Sequence, residues 1–459
     1  MVYKYDKYWT EKDIFKTARE LVGQKLGDID KSGWLNKGAN KGRVGNMIQE
    51  DFFGIKANSS RESDFNYHNI ELKVTPILKK KTVGYSSKER LVLGMINYNS
   101  DYKISFNESL PMKKTKRMLL IFYLHEENEH PSNFKIIKVS DFKMEEDDLE
   151  QVRHDYNNII DMIRNGQAHE ISERQQKFLG ACTKGQGRGR DLVEQPFSEI
   201  LAKSRAYSYK TGFMTSFFRN IASPDDIEHL ILPPKKSFLD TVISVLDKYK
   251  GKTEDEIRDL IYASKKSKAK SGYFNLVTSM FEVGGQKISN INQTEEFLEE
   301  GYAIKTIKNN RFGKDNQDMS FPNLDFTELS YDSFEESTWY GYFAETKYIF
   351  ILWDEIEPGT FKFEDYVIWT PSQQLIDTAE ELYNHVQKLI RNNQLKVTIK
   401  PNGSWSDNLP GKNEFGHFQI RPKGTKGSSI TTIPLTKQEI KKKCLFLNKE
   451  FVRSQFGLN

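Results

Sequence analysis

Three residues of the N-terminal half have the types and spacing needed to hydrolyse a phosphodiester: Asp64, Glu71 and Lys73. That reaction requires a divalent cation on the phosphate, an activated water molecule and a positive group that neutralises the developing charge. Carboxylates suit magnesium, because hard cations prefer oxygen ligands. Asp64 and Glu71 would share the metal ion, and Lys73 would contact the attacking water or the phosphate. Glu50, slightly upstream, could direct a further carboxylate to the same place.

This pattern alone does not establish a nuclease, because acid-x-base triplets are common as exposed charge pairs. Other chemistries have less support. The eight histidines show no metal-ligand spacing, and neither a Walker loop nor a GxGxxG motif occurs. The two cysteines, Cys182 and Cys444, exclude a disulfide scaffold and a cysteine-rich zinc site.

The elements that must position the three residues can be predicted from local patterns. The alternation in Ile70–Val74 predicts a strand that ends at Pro76 and carries Glu71 and Lys73 on one face. The continuous apolar run Met118–Leu124 predicts a buried strand. The pattern also predicts three helices, Glu11–Leu26, Val44–Phe53 and Leu149–Gly166.

Composition indicates a globular protein of two or three domains. The chain has 459 residues, 12% of them aromatic, and a formal net charge of +4. Its longest apolar run is too short to span a membrane and the N-terminus lacks a signal-peptide core, so we expect a soluble, cytoplasmic protein. Lysine and arginine cluster locally, as at Lys113–Arg117 and Lys184–Arg190; such clusters can hold a polyanion, but each alone is more typical of a solvated loop.

The order of landmarks indicates a duplication. Around Ala222–Lys236 the pattern breaks into SPDD and LPPKK, which predicts a linker at 223–238 between domains 1–222 and 239–459. Segments of the first half are echoed, in the same order, about 230 residues further along. The strand with Glu71 is echoed by Tyr302–Lys305, and the apolar run at Met118 by Tyr348–Leu352.

Several segments carry a resemblance to a known family. They are KGRVGNMIQEDFFG at Lys41–Gly54, SDFNYHNIELKVTP at Ser63–Pro76, YSSKERLVLGMINY at Tyr85–Tyr98, CTKG at Cys182–Gly185 and RAYSYKTGFMTS at Arg205–Ser216. These segments are similar to the MutH-related type II restriction endonucleases specific for GATC, with the Sau-type enzymes as the nearest group. In the second half, FQIRPKG and FLNKEF also resemble the MutH recognition segment.

The resemblance implies a PD-(D/E)xK nuclease fold that binds Mg²⁺ and cuts one phosphodiester in each strand of double-stranded DNA. Matched by position, the catalytic residues are Glu50, Asp64, Glu71, Lys73 and Lys114. Asp64, Glu71 and Leu72, which follows Glu71, form the implied metal site. The match at Glu50 requires a one-residue insertion in its helix, and Gln49 competes for this position.

The resemblance also implies which residues read DNA. Lys184 matches a lysine that contacts bases in the groove, and Arg188 lies in the same basic loop. Lysine and arginine can donate to guanine O6 and N7, although a loop of this kind can also contact phosphates alone. Ser208 stands where MutH has a base-contacting tyrosine, with Tyr207 or Tyr209 as the alternative.

The second half departs from the catalytic pattern. Glu296 and Ala303 stand at the positions of Asp64 and Glu71, and Ala344 replaces Lys114; DNA-binding residues remain at Arg421 and Lys423. We therefore expect an α/β fold of two tandem MutH-like domains, each a mixed β-sheet flanked by helices, with a catalytically degenerate second copy. In the Sau-type family this half is an allosteric domain that binds another copy of the target; the alternative is a structural remnant.

The predicted function is a type II restriction endonuclease that cuts DNA at GATC and is regulated by a second bound GATC site. We expect a monomer when free and a dimer or looped complex on DNA, without a membrane partner. Two alternatives stay open: a MutH-like mismatch-repair nicking endonuclease, and a non-catalytic GATC-binding regulator. The duplicated half disfavours the first, and the complete triad of Asp64, Glu71 and Lys73 disfavours the second.

Overall fold

A pair of parallel strands lies at the centre of each half of the chain in the computed structural model. The structure describes residues 3–36, 42–56, 62–80, 84–184, 191–234, 236–262, 271–313, 316–422 and 430–458. Antiparallel strands extend both central pairs into sheets, and helices cover them. The predicted mixed α/β class is therefore confirmed. None of the described helices is long and apolar enough to cross a membrane.

The first half contains seven described α-helices and nine described strands. The helices are α1 (Glu11–Arg19), α2 (Leu26–Ile29), α3 (Arg43–Met47), α4 (Tyr98–Asp101), α5 (Leu110–Thr115), α6 (Glu146–Arg164) and α7 (Thr211–Ala222). The strands are β1 (Glu71–Lys80), β2 (Gly84–Ser87), β3 (Leu91–Met95), β4 (Met118–His125), β5 (Lys135–Phe142), β6 (Leu179–Thr183), β7 (Leu192–Gln195), β8 (Ser198–Lys203) and β9 (Arg205–Tyr209). Short 3₁₀ turns occur at Trp34–Asn36, Phe106–Glu108, Pro131–Asn133, Ala168–Glu170, Glu173–Gln175 and Pro224–Asp226, and a π-helical turn follows α3 at Ile48–Phe52.

The second half repeats this mixture. Its described helices are α8 (Phe238–Tyr249), α9 (Glu254–Leu260), α10 (Gly272–Met280), α11 (Glu295–Glu300), α12 (Phe326–Tyr331), α13 (Thr338–Tyr340), α14 (Gln373–Arg391) and α15 (Lys449–Ser454). Its described strands are β10 (Tyr302–Asn309), β11 (Met319–Asn323), β12 (Lys347–Glu357), β13 (Thr360–Trp369), β14 (Val397–Ile399), β15 (Trp405–Asp407), β16 (Phe418–Pro422), β17 (Ile430–Thr432), β18 (Glu439–Lys441) and β19 (Lys443–Leu447). Short 3₁₀ turns occur at Ile291–Gln293 and Phe334–Glu336, and a π-helical turn at Gly341–Glu345.

The two main sheets of each half have similar strand orders, apart from the additional edge strand β2 in the first half. The described strands of the first half form a central sheet β2-β1-β4-β5, a smaller sheet β3-β9-β6 and a hairpin β7-β8. Those of the second half form β10-β12-β13, β11-β19-β16 and the hairpins β14-β15 and β17-β18. Each central sheet contains one parallel pair of neighbouring strands, β1 with β4 and β10 with β12.

The strand predicted at Met118–Leu124 is buried on both faces, as expected for a continuous apolar run. Met118, Leu120 and Phe122 pack into one core with α6, α7 and the smaller sheet. Leu119 and Ile121 point to the opposite face and pack against the N-terminal helices. The strand therefore connects the two cores and fixes the position of its parallel neighbour β1.

Pro76 does not end the predicted strand, because β1 continues to Lys80. On one side Pro76 pairs with Tyr123 of β4, and on the other side β2 begins its pairing only at Ile77. Proline is tolerated where a strand has no ladder partner on one edge. The missing N–H therefore does not disrupt the sheet.

The first predicted helix is shorter than its apolar pattern indicates. It begins after Thr10, whose side chain caps the helix, and it ends at Arg19 instead of Leu26. The chain then turns through Gly23, which has a φ of 89°, a value that glycine adopts readily. The turn lets Leu26 start a separate short helix that packs in the same core.

Candidate active site

Strand β1 places Glu71 and Lys73 on one face, as the alternating pattern predicts. Lys73 Nζ lies 2.9 Å from Glu71 Oε1, and Lys114 Nζ lies 2.7 Å from Glu71 Oε2. The Glu71 carboxylate is 4% exposed, so it is buried between two ammonium groups. The main-chain N–H of Glu71 donates to the carbonyl of Arg117, which fixes the strand at this point.

Asp64 lies in the turn that leads into β1. The turn is closed by a bridge between Phe65 and Ile70, and Asn69 within it has a φ of 53°. The Leu72 N–H donates to Asp64 Oδ2 at 2.9 Å, which holds the aspartate against the strand that carries Glu71. Burial raises the pKa of Asp64, and the neighbouring Glu71 charge raises it further.

Helix α5 supplies Lys114 in its last turn. Ser109 caps the helix N-terminus by accepting the N–H of Met112, and Pro111 occupies the first turn. Lys114 is 8% exposed and also donates to the main-chain carbonyl of Glu62, at 3.2 Å. The structure therefore brings Asp64, Glu71, Lys73 and Lys114 together.

The accessory position upstream contains the extra residue that the resemblance required. The helix changes from α to π at Ile48–Phe52, and a π-turn is a one-residue insertion in an α-helix. The side chain that reaches the site here is Gln49, whose Nε2 donates to Asp64 Oδ1 at 3.0 Å. Glu50 follows in the same turn and is partly exposed.

The donor set at this site suits a hard divalent cation. Asp64 and Glu71 offer carboxylate oxygens, and Leu72, which follows Glu71 in β1 and whose N–H binds Asp64, offers a main-chain carbonyl. The two carboxylates lie near enough for the charge of Glu71 to raise the pKa of Asp64. A cation between them would relieve this repulsion, so the residues fit the metal that the sequence predicts.

A cleft of about 1160 Å³ adjoins these residues. One wall comes from the turn before β1, with Glu62, Ser63 and Asn66, and the other from the end of α5 and from Lys143. Cations contributed by this second wall are Lys113, Lys116, Arg117 and Lys143. Lys143 directly follows β5, and no local motif marks it in the sequence.

The residues predicted to read DNA lie in different environments. Lys184 follows β6 and is partly exposed, with its main-chain N–H donating to Ser204 at 2.8 Å. Tyr207 is 1% exposed and donates its hydroxyl to Asp101, and Ser208 is fully buried. Burial of both side chains does not support the base contact predicted at these two positions. Arg188 lies outside the described residues.

Among the residues that the structure describes, the parallel strands of the second half do not carry the catalytic constellation. Ala303 pairs with Tyr348 in the parallel ladder, where Glu71 pairs with Met118 in the first half. Ala344 lies in the π-turn Gly341–Glu345 before β12. Neither alanine can ligate a metal ion or neutralise a charge through its side chain.

In the second half, the hydrogen bond that Asp64 makes in the first half is made by Asn292, which the sequence pattern did not indicate. Asn292 Oδ1 accepts the N–H of Ile304, as Asp64 accepts that of Leu72. Glu296, which the sequence analysis placed at this position, instead accepts the N–H of Leu230 at 2.6 Å. The amide of Asn292 is neutral, so the acidic pair of the first half is not repeated.

Of the DNA-binding residues predicted in the second half, Arg421 lies in β16 and Lys423 lies outside the described residues. The Arg421 guanidinium contacts Asp318 at 2.7 Å and covers the ring of Phe446 at 4.2 Å. The side chain is 46% exposed, so this ion pair remains open to solvent.

A second group of potential metal ligands lies between the halves, at His125, Asp325 and Glu328. Their ligand atoms lie within 4.8 Å of one another, but they already have partners. His125 contacts Asp325, and the Lys88 ammonium lies 3.3 Å from Glu328. The ammonium supplies the positive charge that these buried carboxylates need, so the group is an ion-pair network that joins the halves.

Comparison with known proteins identifies relatives of both halves. Residues 53–155 match the family described as DNA mismatch repair enzyme MutH, and this range contains Asp64, Glu71, Lys73 and Lys114. The type II restriction enzyme Sau3AI of Staphylococcus aureus is 28% identical over 428 residues, which cover 89% of this chain and 86% of that enzyme. The DNA mismatch repair protein MutH of Escherichia coli O6:K15:H31 is 26% identical over 175 residues, 37% of this chain and 74% of that protein. The predicted resemblance to MutH-related, Sau-type enzymes is confirmed.

Proposed function

We propose that this protein is a type II restriction endonuclease that hydrolyses double-stranded DNA at 5′-GATC-3′ with Mg²⁺. The observation that carries the proposal is the buried Glu71 carboxylate, which lies between Lys73 and Lys114 and next to Asp64. These four residues lie within the segment that matches MutH. The similarity to a restriction enzyme over 89% of the chain supports a site-specific deoxyribonuclease over a nucleic-acid-binding protein without activity.

Each residue then has a defined role. Asp64, Glu71 and the Leu72 carbonyl would hold Mg²⁺, which polarises a phosphate and lowers the pKa of bound water. Lys73 is the more exposed of the two lysines and can contact the attacking water or the scissile phosphate. Lys114, buried beside Glu71, orients this carboxylate. The adjoining cleft would take the flanking sugar–phosphate backbone.

GATC specificity is proposed from the resemblance and from the position of Lys184. This lysine follows the edge strand β6, and its main chain is fixed by Ser204. A lysine held in this way can donate to guanine in the major groove, whereas a freely moving lysine would contact phosphates without discrimination.

We further propose that the second half is a degenerate copy of the first and binds another GATC site as an effector. The similar strand orders and the matched pairs Glu71–Met118 and Ala303–Tyr348 support a duplication. Loss of the acidic pair makes direct hydrolysis by this half unfavourable. An effector can act only if it binds the active state more tightly than the inactive state. Free protein would be monomeric, with a dimer or looped complex on DNA.

The first test is cleavage of a plasmid with mapped GATC sites in Mg²⁺. Double-strand breaks at GATC are expected, and sequenced ends would locate the bond. Glu71→Gln should abolish cleavage but retain GATC binding in Ca²⁺, whereas Glu126→Gln, an exposed acid beyond β4, should cut normally. Nicks alone would indicate a mismatch-repair type of activity, and intact DNA with a gel shift would indicate a regulator. A Glu71→Gln protein that still cuts would contradict the site assignment.

The second test compares plasmids that carry one or two GATC sites. The wild type should cut the two-site plasmid faster, and a short GATC duplex added in trans should stimulate cleavage of the one-site plasmid. Lys423→Ala should lose this stimulation and Lys400→Ala, an exposed lysine of the same half, should keep it. Salt must be fixed, because phosphate contacts make DNA affinity salt-dependent. Equal wild-type rates on both plasmids, without a response to the duplex, would show that the second half is structural.

A further inference from the structure

One tyrosine of the second half contacts the strand that leads into the proposed base-reading loop of the first half. The Tyr340 hydroxyl accepts the main-chain N–H of Thr183 at 3.2 Å, one residue before Lys184. The same hydroxyl donates to the carboxylate of Glu173, which also accepts the Thr183 N–H, at 3.3 Å. Tyr340 and Glu173 are 3% and 2% exposed, so water does not compete for these bonds.

We propose that Tyr340 is a positioning residue for sequence discrimination: through Thr183 it holds Lys184 in the orientation that reads the target base pair. This inference rests on the proposed function. It gives the second half a direct part in recognition by the first half, separate from any DNA that the second half binds itself.

The main chain around Lys184 is fixed from two sides. Strand β6 is an edge strand that pairs only with β9 among the described strands, and Thr183 directs its N–H away from that partner. Glu173 and Tyr340 bind this outward N–H, while the next N–H, that of Lys184, turns inward and donates to Ser204. The direction in which the Lys184 side chain leaves the sheet therefore depends on a bond from the other half.

Tyr340 is itself held by a residue of the YSSKER segment that carries the family resemblance. The Arg90 guanidinium lies 4.0 Å from the centre of the Tyr340 ring and donates to the main-chain carbonyl of Glu335 at 2.5 Å. Arg90 is 6% exposed, and a desolvated cation over an aromatic face gives a strong contact. The ring of Tyr340 is therefore held by its contact with Arg90, and its hydroxyl makes the separate hydrogen bond with Thr183.

Tyr340→Phe separates these two contacts, because it keeps the ring over Arg90 and removes the hydroxyl. The full-length variant should discriminate less well between a GATC duplex and duplexes with one base-pair change. The ratio of single-turnover cleavage rates on the two substrates should fall about tenfold, the effect of one lost hydrogen bond. Kd values for the same duplexes in Ca²⁺ should show the same loss of discrimination.

The matched control is Tyr383→Phe. Tyr383 is also a buried tyrosine of the second half, but its hydroxyl bonds main-chain carbonyls of Glu328 and Asp332 in its own half. It should keep the wild-type ratio even if its thermal stability falls. Glu173→Gln provides a second variant, since it changes the other partner of Thr183 without removing Tyr340, and it should also lower the ratio.

The outcomes separate the inference from the proposed function. A wild-type protein that cuts no GATC duplex contradicts the proposed function. A wild type that cuts, together with a Tyr340→Phe variant of unchanged ratio, overturns the role of Tyr340. An equal loss of rate on both substrates, or a rate increase at unchanged ratio, also overturns it, since either result shows a contact that affects folding or activation instead of base discrimination.

Discussion

The hydroxyl groups of Tyr209 and Thr115 are joined by a hydrogen bond of 2.5 Å. Tyr209 belongs to β9, the central strand of the sheet that also contains the strand leading to Lys184. Thr115 directly follows Lys114, which contacts Glu71. Both hydroxyls are buried, and burial raises the pKa of Tyr209, so the bond persists between neutral groups at physiological pH. It connects the proposed recognition sheet with the helix that carries Lys114, a proposed catalytic residue.

Removal of this bond should slow cleavage without weakening DNA binding. In Tyr209→Phe the end of α5 loses a fixed partner, so Lys114 is held less well beside Glu71. We expect a fall of about tenfold in the single-turnover rate, with an unchanged Kd for a GATC duplex in Ca²⁺. Tyr207→Phe is the matched control, because Tyr207 is buried on the same strand but bonds Asp101 instead of α5. Equal rates for Tyr209→Phe and Tyr207→Phe would contradict this connection.

Loss of Lys184 should change the discrimination between DNA sites, whereas loss of Lys114 should change the cleavage rate. Lys184→Ala removes a proposed base contact and should cost about 1–3 kcal/mol of discrimination between GATC and near-cognate sites. Lys114→Ala should reduce the rate about a hundredfold with site preference kept, because a charge beside Glu71 carries no base information. Cleavage rates on GATC and on single-substituted duplexes measure both effects. If Lys184→Ala lost affinity equally for all sequences, this lysine would be a phosphate contact.

The catalytic strand and its neighbour could be predicted because their signals are local. Alternation placed Glu71 and Lys73 on one face, and the apolar run at Met118 predicted a strand buried on both sides. The prediction that the strand ends at Pro76 was wrong, because a proline disrupts a strand only where a neighbouring strand needs its N–H. A local sequence pattern does not show which strands pair with each other.

Contacts made across long sequence distances could not be predicted for the same reason. Asn292 takes the place of Asp64 although Glu296 matches better in sequence, since a short helix intervenes before β10 in the second half. Tyr207 has the chemistry of a base-reading residue but points into the core. Tyr340 contacts Thr183 from 157 residues away, and no motif around either residue indicates this pairing.

The cleft beside the active site should contribute affinity without specificity. Lys116 is exposed on its wall, whereas the neighbouring Arg117 is already paired with Glu11. Lys116→Ala should therefore weaken binding equally for GATC and unrelated duplexes and reduce the slope of log K against log salt by about 1. Arg117→Ala should change the slope less. Fluorescence anisotropy titrations in Ca²⁺ at several salt concentrations measure both slopes, and a change confined to GATC duplexes would argue against a backbone contact.

The contact between the halves contains an acid that should make stability depend on pH. Glu89 lies between the interface residues Lys88 and Arg90, and burial raises its pKa to about 8 despite the lowering effect of Lys88. In the unfolded chain this carboxyl loses its proton near 4.5. Between these two pH values the folded state binds one proton more than the unfolded state. The contribution of Glu89 to stability is therefore fully present below pH 4.5 and is lost as pH rises to about 8.

Glu89→Gln removes this titration and keeps the side-chain size. The variant should match the wild type at pH 5 and exceed its free energy of unfolding by on the order of 2 kcal/mol at pH 9, because the amide does not ionise, whereas the partly buried carboxyl of the wild type does. Urea unfolding at pH 5, 7 and 9 gives the difference. Glu126→Gln, at an exposed acid, should show no such trend. A Glu89→Gln variant that is less stable than the wild type at pH 9 would mean that the ionised Glu89 carboxylate stabilises the folded state through Lys88 or Arg90, which would place its folded pKa below that of the unfolded chain.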